Sequence, residues 1–302
     1  MHKERKEVRK LNRSPLRYPG GKSNITPLIK VILETKEAQP TTYIEPFAGG
    51  AGVAINLLLD NIVDKIVIND YDKAIYSFWR AVKEETNALI ALIADTPVSI
   101  EEWHKQKAIY TEQRKHYSLQ LGFSAFFLNR TNRSGILNAG PIGGYKQAGA
   151  YLLDARYNKA ALIERIGSIS QKKDAIFIYN KEIRKFITQI IPKYQENALV
   201  YFDPPYFTNG KRLYKNFFVE RDHVEISRYI HENVGCDWIM TYDDKPEIRT
   251  IYTNYPMCNY QLSYSAANKG KGTELIIFKQ HDLMPNMQPV DKSIRQLAIT
   301  EI

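Results

Sequence analysis

Asp203-Pro204-Pro205-Tyr206 closes the apolar run Ala198-Leu199-Val200-Tyr201-Phe202. The two prolines remove N–H donors and fix the backbone, which leaves the neighbouring carbonyls without a strand partner. The carboxylate offers acceptor oxygens, and the phenol ring offers a flat face. A planar ring with an exocyclic amine suits that set. The ring stacks on Tyr206 while the amine donates to Asp203 and to the carbonyl of Pro204. A strand followed by a proline turn, its acid serving only as a cap, would carry the same four residues, so other motifs must decide between the two.

Thr41-Thr42-Tyr43-Ile44 reads as a short strand that runs into Glu45-Pro46-Phe47-Ala48-Gly49-Gly50-Ala51-Gly52 and then into an apolar helix over 53–59. Strand, glycine-rich turn and helix make a cradle at the carboxyl edge of a sheet, where backbone approaches a ligand closely. A second strand, Lys65-Ile66-Val67-Ile68-Asn69, ends in Asp70, at the separation where doubly wound folds hold ribose hydroxyls. Glycines at 49, 50 and 52 lack the dinucleotide spacing. Upstream, Leu16-Arg17-Tyr18-Pro19-Gly20-Gly21-Lys22-Ser23 forms a turn that puts Lys22 at a helix start, where it can meet a carboxylate.

In this order, Arg17-Tyr18-Pro19-Gly20-Gly21-Lys22, the Glu45–Gly52 segment, Asn69-Asp70 and Asp203-Pro204-Pro205-Tyr206 resemble the Dam-like adenine-specific DNA methyltransferases. Asn129-Arg130-Thr131-Asn132-Arg133-Ser134-Gly135 and Thr273-Glu274-Leu275-Ile276-Ile277 are also similar to segments of that family. The resemblance implies transfer of the methyl group of S-adenosyl-L-methionine to the N6 amine of an adenine flipped out of double-stranded DNA. S-adenosyl-L-homocysteine is then the product, and no metal is needed. It implies catalytic roles for Asp203, Pro204, Pro205 and Tyr206. On the cofactor it implies Tyr18 and Lys22 near the amino-acid end, Phe47, Ala48, Gly49 and Gly52 around the methionine portion, Asp70 on the ribose, and Asp203 as a shared contact. Glu182 falls where the family usually has an aspartate near the cofactor's adenine.

Target reading would fall to a helical insertion, with Arg130, Asn132, Arg133 and Asn138 as candidates, because arginine and asparagine pair bidentately with guanine and adenine edges; Arg130 reads equally as a structural tie between the loop and the insertion. Lys211 and Arg212, in the basic stretch after the tetrapeptide, would grip phosphates. Relatives with a GATC target carry an aromatic-Asn-Gly turn where this chain has Asn132-Arg133-Ser134-Gly135, so the target sequence does not transfer. Three rivals stay open: a methyltransferase of protein glutamine, whose tetrapeptide typically begins with Asn; one acting on cytosine amine or RNA adenine; and a silent DNA-binding or NAD protein on a similar sheet.

The elements that must hold these residues alternate. Strand-like runs at 41–44, 65–69, 175–179, 198–202, 237–242, 255–264 and 274–279 are separated by helical stretches, except for the last two. The pattern predicts an α/β fold with a doubly wound, mostly parallel sheet and an antiparallel edge hairpin. The resemblance makes it a class I S-adenosylmethionine-dependent methyltransferase fold. Residues 1–73 and 173–302 form the expected catalytic domain, and 74–172 the helical target-recognition domain. Within the insertion, Ser99-Ile100-Glu101-Glu102 has capping-box spacing. Leu119, Phe123, Phe126 and Phe127 share one helical face. Five of sixteen glycines fall between Asn132 and Gly149, which predicts a long loop there.

Composition narrows the partners. The 302 residues carry a formal charge of +9, which favours a polyanion. Cys236 and Cys258 match no metal spacing and suit a reducing, cytoplasmic setting. No apolar run reaches the ~18 residues of a membrane span. Residues 1–13 are basic without an apolar core, unlike a secretory leader. A monomer on DNA is expected, and residues 280–302 receive no role.

Overall fold

The computed structural model describes residues 13–17, 21–34, 36, 39–113, 115–207, 218–262, 272–284 and 299–301. In chain order its elements are α1 (Thr26–Glu34), β1 (Thr42–Glu45), α2 (Gly52–Leu59), β2 (Lys65–Asn69), α3 (Lys73–Glu84), α4 (Thr86–Asp95), α5 (Ile100–Glu112) and α6 (Leu119–Thr131). Then come α7 (Lys159–Ser170), β3 (Ile176–Tyr179), α8 (Ile183–Gln189), β4 (Ala198–Phe202), α9 (Glu220–Asn233) and β5 (Asp237–Asp243). The chain continues with α10 (Pro246–Ile251), β6 (Met257–Leu262), β7 (Gly272–Phe278) and β8 (Ile299–Glu301). The fold is α/β, with a mostly parallel sheet and an antiparallel edge, as the pattern predicts.

The chain divides into two compact units. The first comprises Met1–Asn24 and Ala48–Lys181. There β2 and β3 pair in parallel, from Ile66 opposite Ile176 to Asn69 opposite Tyr179. Helix α3 starts where the Asp72 carboxylate accepts the Ala74 N–H, and it buries Ile75, Phe78, Trp79 and Val82. Phe78 stacks on Phe126 of α6 at 5.5 Å between ring centroids. A Cβ on Gly122 would lie 2.6 Å from the Ser77 carbonyl oxygen, so α6 and α3 meet backbone to backbone. Every residue of α6 from Leu121 to Thr131 is buried. The expected one-sided stripe on α6 is therefore only part of a helix that is core all round. Side-chain caps by Ser99, Ser118 and Asn158 begin α5, α6 and α7. Helices form over 74–172, and they lie in the same compact unit as β2 and β3.

The second unit comprises Ile25–Phe47 and Glu182–Ile302. Strand β4 lies between β1 and β5 and runs parallel to both, with Ile44 opposite Val200 and Phe202 opposite Met240. All five residues of β4 are buried. This is why it reads as a continuous apolar run rather than an alternating one. The antiparallel hairpin β6–β7 inserts its second strand next to β5, so β7 separates β5 from β6. Strand β8 adds three antiparallel residues to β6, a role the sequence did not suggest for this tail.

Candidate functional site

In the first unit the glycine turn is tied from several sides. Gly49 and Ala51 both have φ 46°, the left-handed region that favours glycine. Asp70, just past β2, accepts the Gly49 N–H on Oδ2 and the Asp72 N–H on Oδ1, each at 2.8 Å. Trp79 Nε1–H donates to the Gly49 carbonyl at 2.9 Å, and the Ser14 hydroxyl donates to the Gly50 carbonyl. Burial first, then repulsion from Asp72, pushes the Asp70 carboxyl up to about 7. Asp70 therefore shapes the turn, and each of its oxygens keeps a lone pair for a further donor. Ala48 and Lys22 are buried. Gly52 has a packing reason for its bare Cα, because a Cβ there would lie 2.1 Å from Ser23 Oγ.

In the second unit the tetrapeptide follows β4 directly. Thr241 on β5 donates its hydroxyl to Asp203 Oδ1 at 2.8 Å. The Tyr201 hydroxyl lies 2.7 Å from the same Thr241 oxygen. With Thr241 donating to the carboxylate, Tyr201 is the donor to Thr241, so a two-step relay sets the plane of the Asp203 carboxylate. The Tyr206 hydroxyl bonds the Glu274 carboxylate; burial, then the Asp203 charge, hold this phenol well above its ordinary pKa. Its ring lies 6.4 Å from that of Tyr242, tilted by 36°. The Phe207 N–H donates to Asp243 at 2.9 Å, which fixes the exit of the tetrapeptide. Asp243 and Glu274 are register partners on β5 and β7. Phe47 meets Phe218 edge-on at 6.0 Å. Glu182 behaves as a helix cap: its Oε2 accepts the N–H groups of Arg184 and Lys185.

The expected DNA contacts separate by burial. Asn132 is fully buried and spent: its oxygen accepts Trp103 Nε1–H at 2.6 Å, and its amide donates to the carbonyls of Ile136 and Leu137. Arg130 is 8% exposed and donates through Nε to the Pro15 carbonyl at 2.7 Å. Burial, then Arg165 and Arg17, bring its pKa down to about 9. Asn132 holds the loop, and Arg130 holds the N-terminal segment, the structural alternative that the sequence leaves open for it. Arg133 and Asn138 are exposed, as a reader must be. Tyr18, Lys211 and Arg212 lie outside the described residues.

Residue reasoning missed Thr241, Glu274 and Asp243. Thr241 had one signal, a hydroxyl inside the apolar run Trp238-Ile239-Met240-Thr241-Tyr242. Glu274 and Asp243 become visible only once the antiparallel register is known. Among the described residues no group of three or more His, Cys, Asp or Glu is placed to hold a metal.

Comparison with known proteins gives a family, two relatives and one solved structure. A family model described as D12 class N6 adenine-specific DNA methyltransferase matches residues 18–266. The Type II methyltransferase M1.LlaDCHI of Lactococcus lactis subsp. cremoris is 26% identical over 296 residues, covering 89% of this chain and 96% of that protein. The Type II methyltransferase M.MjaIII of Methanocaldococcus jannaschii is 26% identical over 205 residues, 63% of this chain and 68% of that protein. Among solved structures, the rRNA methyltransferase aviRa of Streptomyces viridochromogenes overlaps 88% of each chain at 11% identity and a TM-score of 0.38, too slight a likeness to bear on the fold.

Proposed function

The chain belongs to the D12 class of N6 adenine-specific DNA methyltransferases, and on that premise we propose how its residues divide the reaction. The activity itself, site-specific methylation of adenine in DNA, is that of the family. The family also implies S-adenosylmethionine as donor. When bound, that cofactor supplies a methyl group already activated by its sulfonium. The residues fit such a ligand. Asp70 has acceptor capacity left for ribose hydroxyls, and Ala48 and Gly49 present backbone beside it. Lys22, Phe47 and Gly52 serve the methionine side, Gly52 through its packing on Ser23.

The N6 amine is a poor nucleophile because its lone pair is delocalised into the ring. Asp203 accepts one N–H and the Pro204 carbonyl the other, holding the amine out of the ring plane. Pro205 keeps the backbone rigid, and Tyr206 stacks on the base. The proton leaves after attack, so Asp203 orients the amine rather than removing its proton beforehand. Alignment and electrostatics supply most of the rate. Flipping costs a few kcal/mol, and stacking on Tyr206 offsets ~1–3 kcal/mol of it. The observation that carries this reading is the Tyr201–Thr241–Asp203 relay, which fixes a carboxylate at the end of a buried strand.

The exposed Arg133 and Asn138 are the proposed base readers. The enzyme acts as a monomer on double-stranded DNA in the cytoplasm, uses no metal and releases S-adenosylhomocysteine. The Type II names of M1.LlaDCHI and M.MjaIII support a place beside a restriction endonuclease. Single-molecule sequencing of DNA from a methylation-free host expressing the chain tests the reading. N6-methyladenine at one recurrent motif is expected. Unmodified adenine throughout would overturn it.

A further inference from the structure

Outside the tetrapeptide and the glycine turn, the first unit contains a polar cavity of about 330 Å³. It is lined by Arg17, Arg133, Ser134, Ile142, Tyr151, Ala155 and Arg156, three guanidiniums and no carboxylate. Arg17 Nη1 is buried and has no hydrogen-bond partner. A desolvated guanidinium N–H left without an acceptor is costly. Burial, then the charge of Arg156, lowers the Arg17 pKa. Arg17 thus stands partly desolvated beside a like charge, a situation that an anion would relieve.

Arg17 is also held in place. Its N–H donates to Asn129 Oδ1 at 2.7 Å, and Asn129 Nδ2 donates back to the Arg17 carbonyl at 2.8 Å. The same amide nitrogen reaches the Gly135 carbonyl at 2.9 Å. Gly135 sits at φ 76°, and a Cβ there would lie 2.1 Å from the Arg17 carbonyl oxygen. The segment 129–135 therefore has a common purpose: Asn129 clamps Arg17, Arg130 clamps Pro15, Asn132 braces the loop, and Gly135 lets the loop lie against Arg17. Arg156 rests near the exposed ring of Tyr151, with its guanidinium carbon 5.9 Å from the centroid. An arginine anchored through its backbone beside a second cation gives a phosphate two guanidiniums to meet.

We propose that this pocket takes one phosphate of the DNA backbone, with Arg17 as the fixed contact and Arg156 as the second. Arg133, an exposed member of the same lining, is kept as the proposed base reader. The assignment rests on DNA being the substrate. The test uses wild type, Arg17→Ala, Arg17→Lys and Arg156→Ala with duplexes carrying the methylated motif and single-base variants of it. Binding is measured by fluorescence anisotropy at several salt concentrations, and folding is checked by S-adenosylhomocysteine affinity and thermal melting.

Arg17→Ala and Arg156→Ala should weaken binding to every sequence alike, by about 5–20-fold, and each should lower the salt slope by about one. Arg17→Lys should keep the slope and lose part of the affinity. A neutral methylphosphonate, scanned along the duplex, should weaken wild type wherever a phosphate is contacted, and at one of those positions should leave Arg17→Ala and Arg156→Ala unaffected. A loss of discrimination at one base pair with an unchanged slope would make Arg17 a base reader and overturn the proposal. So would an unchanged affinity in both alanine variants. If Arg17→Ala fails to fold, Arg156→Ala and the methylphosphonate scan on wild type decide alone. Absence of methyl transfer to DNA by wild type would instead strike the substrate reading on which the pocket depends.

Discussion

Two residues of the candidate site make opposite demands on a carboxylate. Asp203 needs orientation, which Thr241 supplies through a 2.8 Å hydrogen bond. Asp203→Ala should reduce methyl transfer to background while cofactor affinity stays within about twofold, since an electrostatic contact of this kind is worth roughly 10²–10³-fold or more. Thr241→Val, which keeps the shape and removes the hydroxyl, should lower kcat by about 10–100-fold through misalignment. Tritium transfer and calorimetry together measure both, and wild-type kcat in Thr241→Val would remove the relay from the mechanism. Asp70 instead needs its charge. Its folded-state pKa is raised to about 7, so below that value it holds a proton and loses acceptor capacity. S-adenosylhomocysteine should bind more tightly as pH rises through about 7, and Asp70→Asn should flatten the profile. Calorimetry from pH 5.5 to 8.5 would show this, and a pH-independent wild type would mean that the ionised form is not what binds. The placement of the tetrapeptide and of Asp70 at strand ends is legible in the sequence because strand endings are local. Thr241 and Glu274 were not, because their partners are set by strand register.

At the level of elements, the loop after α6 is legible in the sequence as long and glycine-rich, and Arg133 and Asn138 are exposed on it, but the burial of Asn132 is not legible. A polar residue among glycines looks solvated in sequence, yet loops carry unpaired carbonyls, and a buried amide side chain is the cheapest way to satisfy several at once. Removing it in Asn132→Ala would orphan Trp103 Nε1 and the carbonyls of Ile136 and Leu137. The expected cost is about 2–4 kcal/mol of stability. Urea denaturation would measure it. A loss below about 0.5 kcal/mol would show that water replaces the amide and that the loop is less fixed than its hydrogen bonds indicate. Helix α6 carries a related lesson. Its aromatic stripe was visible at helical spacing, but burial of Ser124, Asn129 and Thr131 was not, because only the tertiary partners make those groups affordable inside.

For the whole molecule, composition and motif order gave the α/β class, the parallel strands and the antiparallel hairpin. They missed β8, whose three residues have no apolar run to announce them, and they missed the division of the chain into its two compact units. A formal charge of +9 makes DNA affinity a property of the entire surface. If about six phosphates are neutralised, the dissociation constant should rise by about 10³-fold between roughly 50 and 200 mM salt. A change under about tenfold, read by anisotropy on any duplex, would mean that the charge is not spent on the backbone. The reciprocal bonds between Arg17 and Asn129 span 112 residues, and the β1–β4 pairing joins Thr42 to Ala198. A ribosome adding about 5–20 residues per second would finish the early partners of these pairs some 6–20 seconds or more before the late ones emerge. Both early segments are therefore made well before the partners that complete them. The first strand, Thr42–Glu45, is buried throughout in the fold and must stay soluble without its β4 partner until the chain has been translated past Ala198.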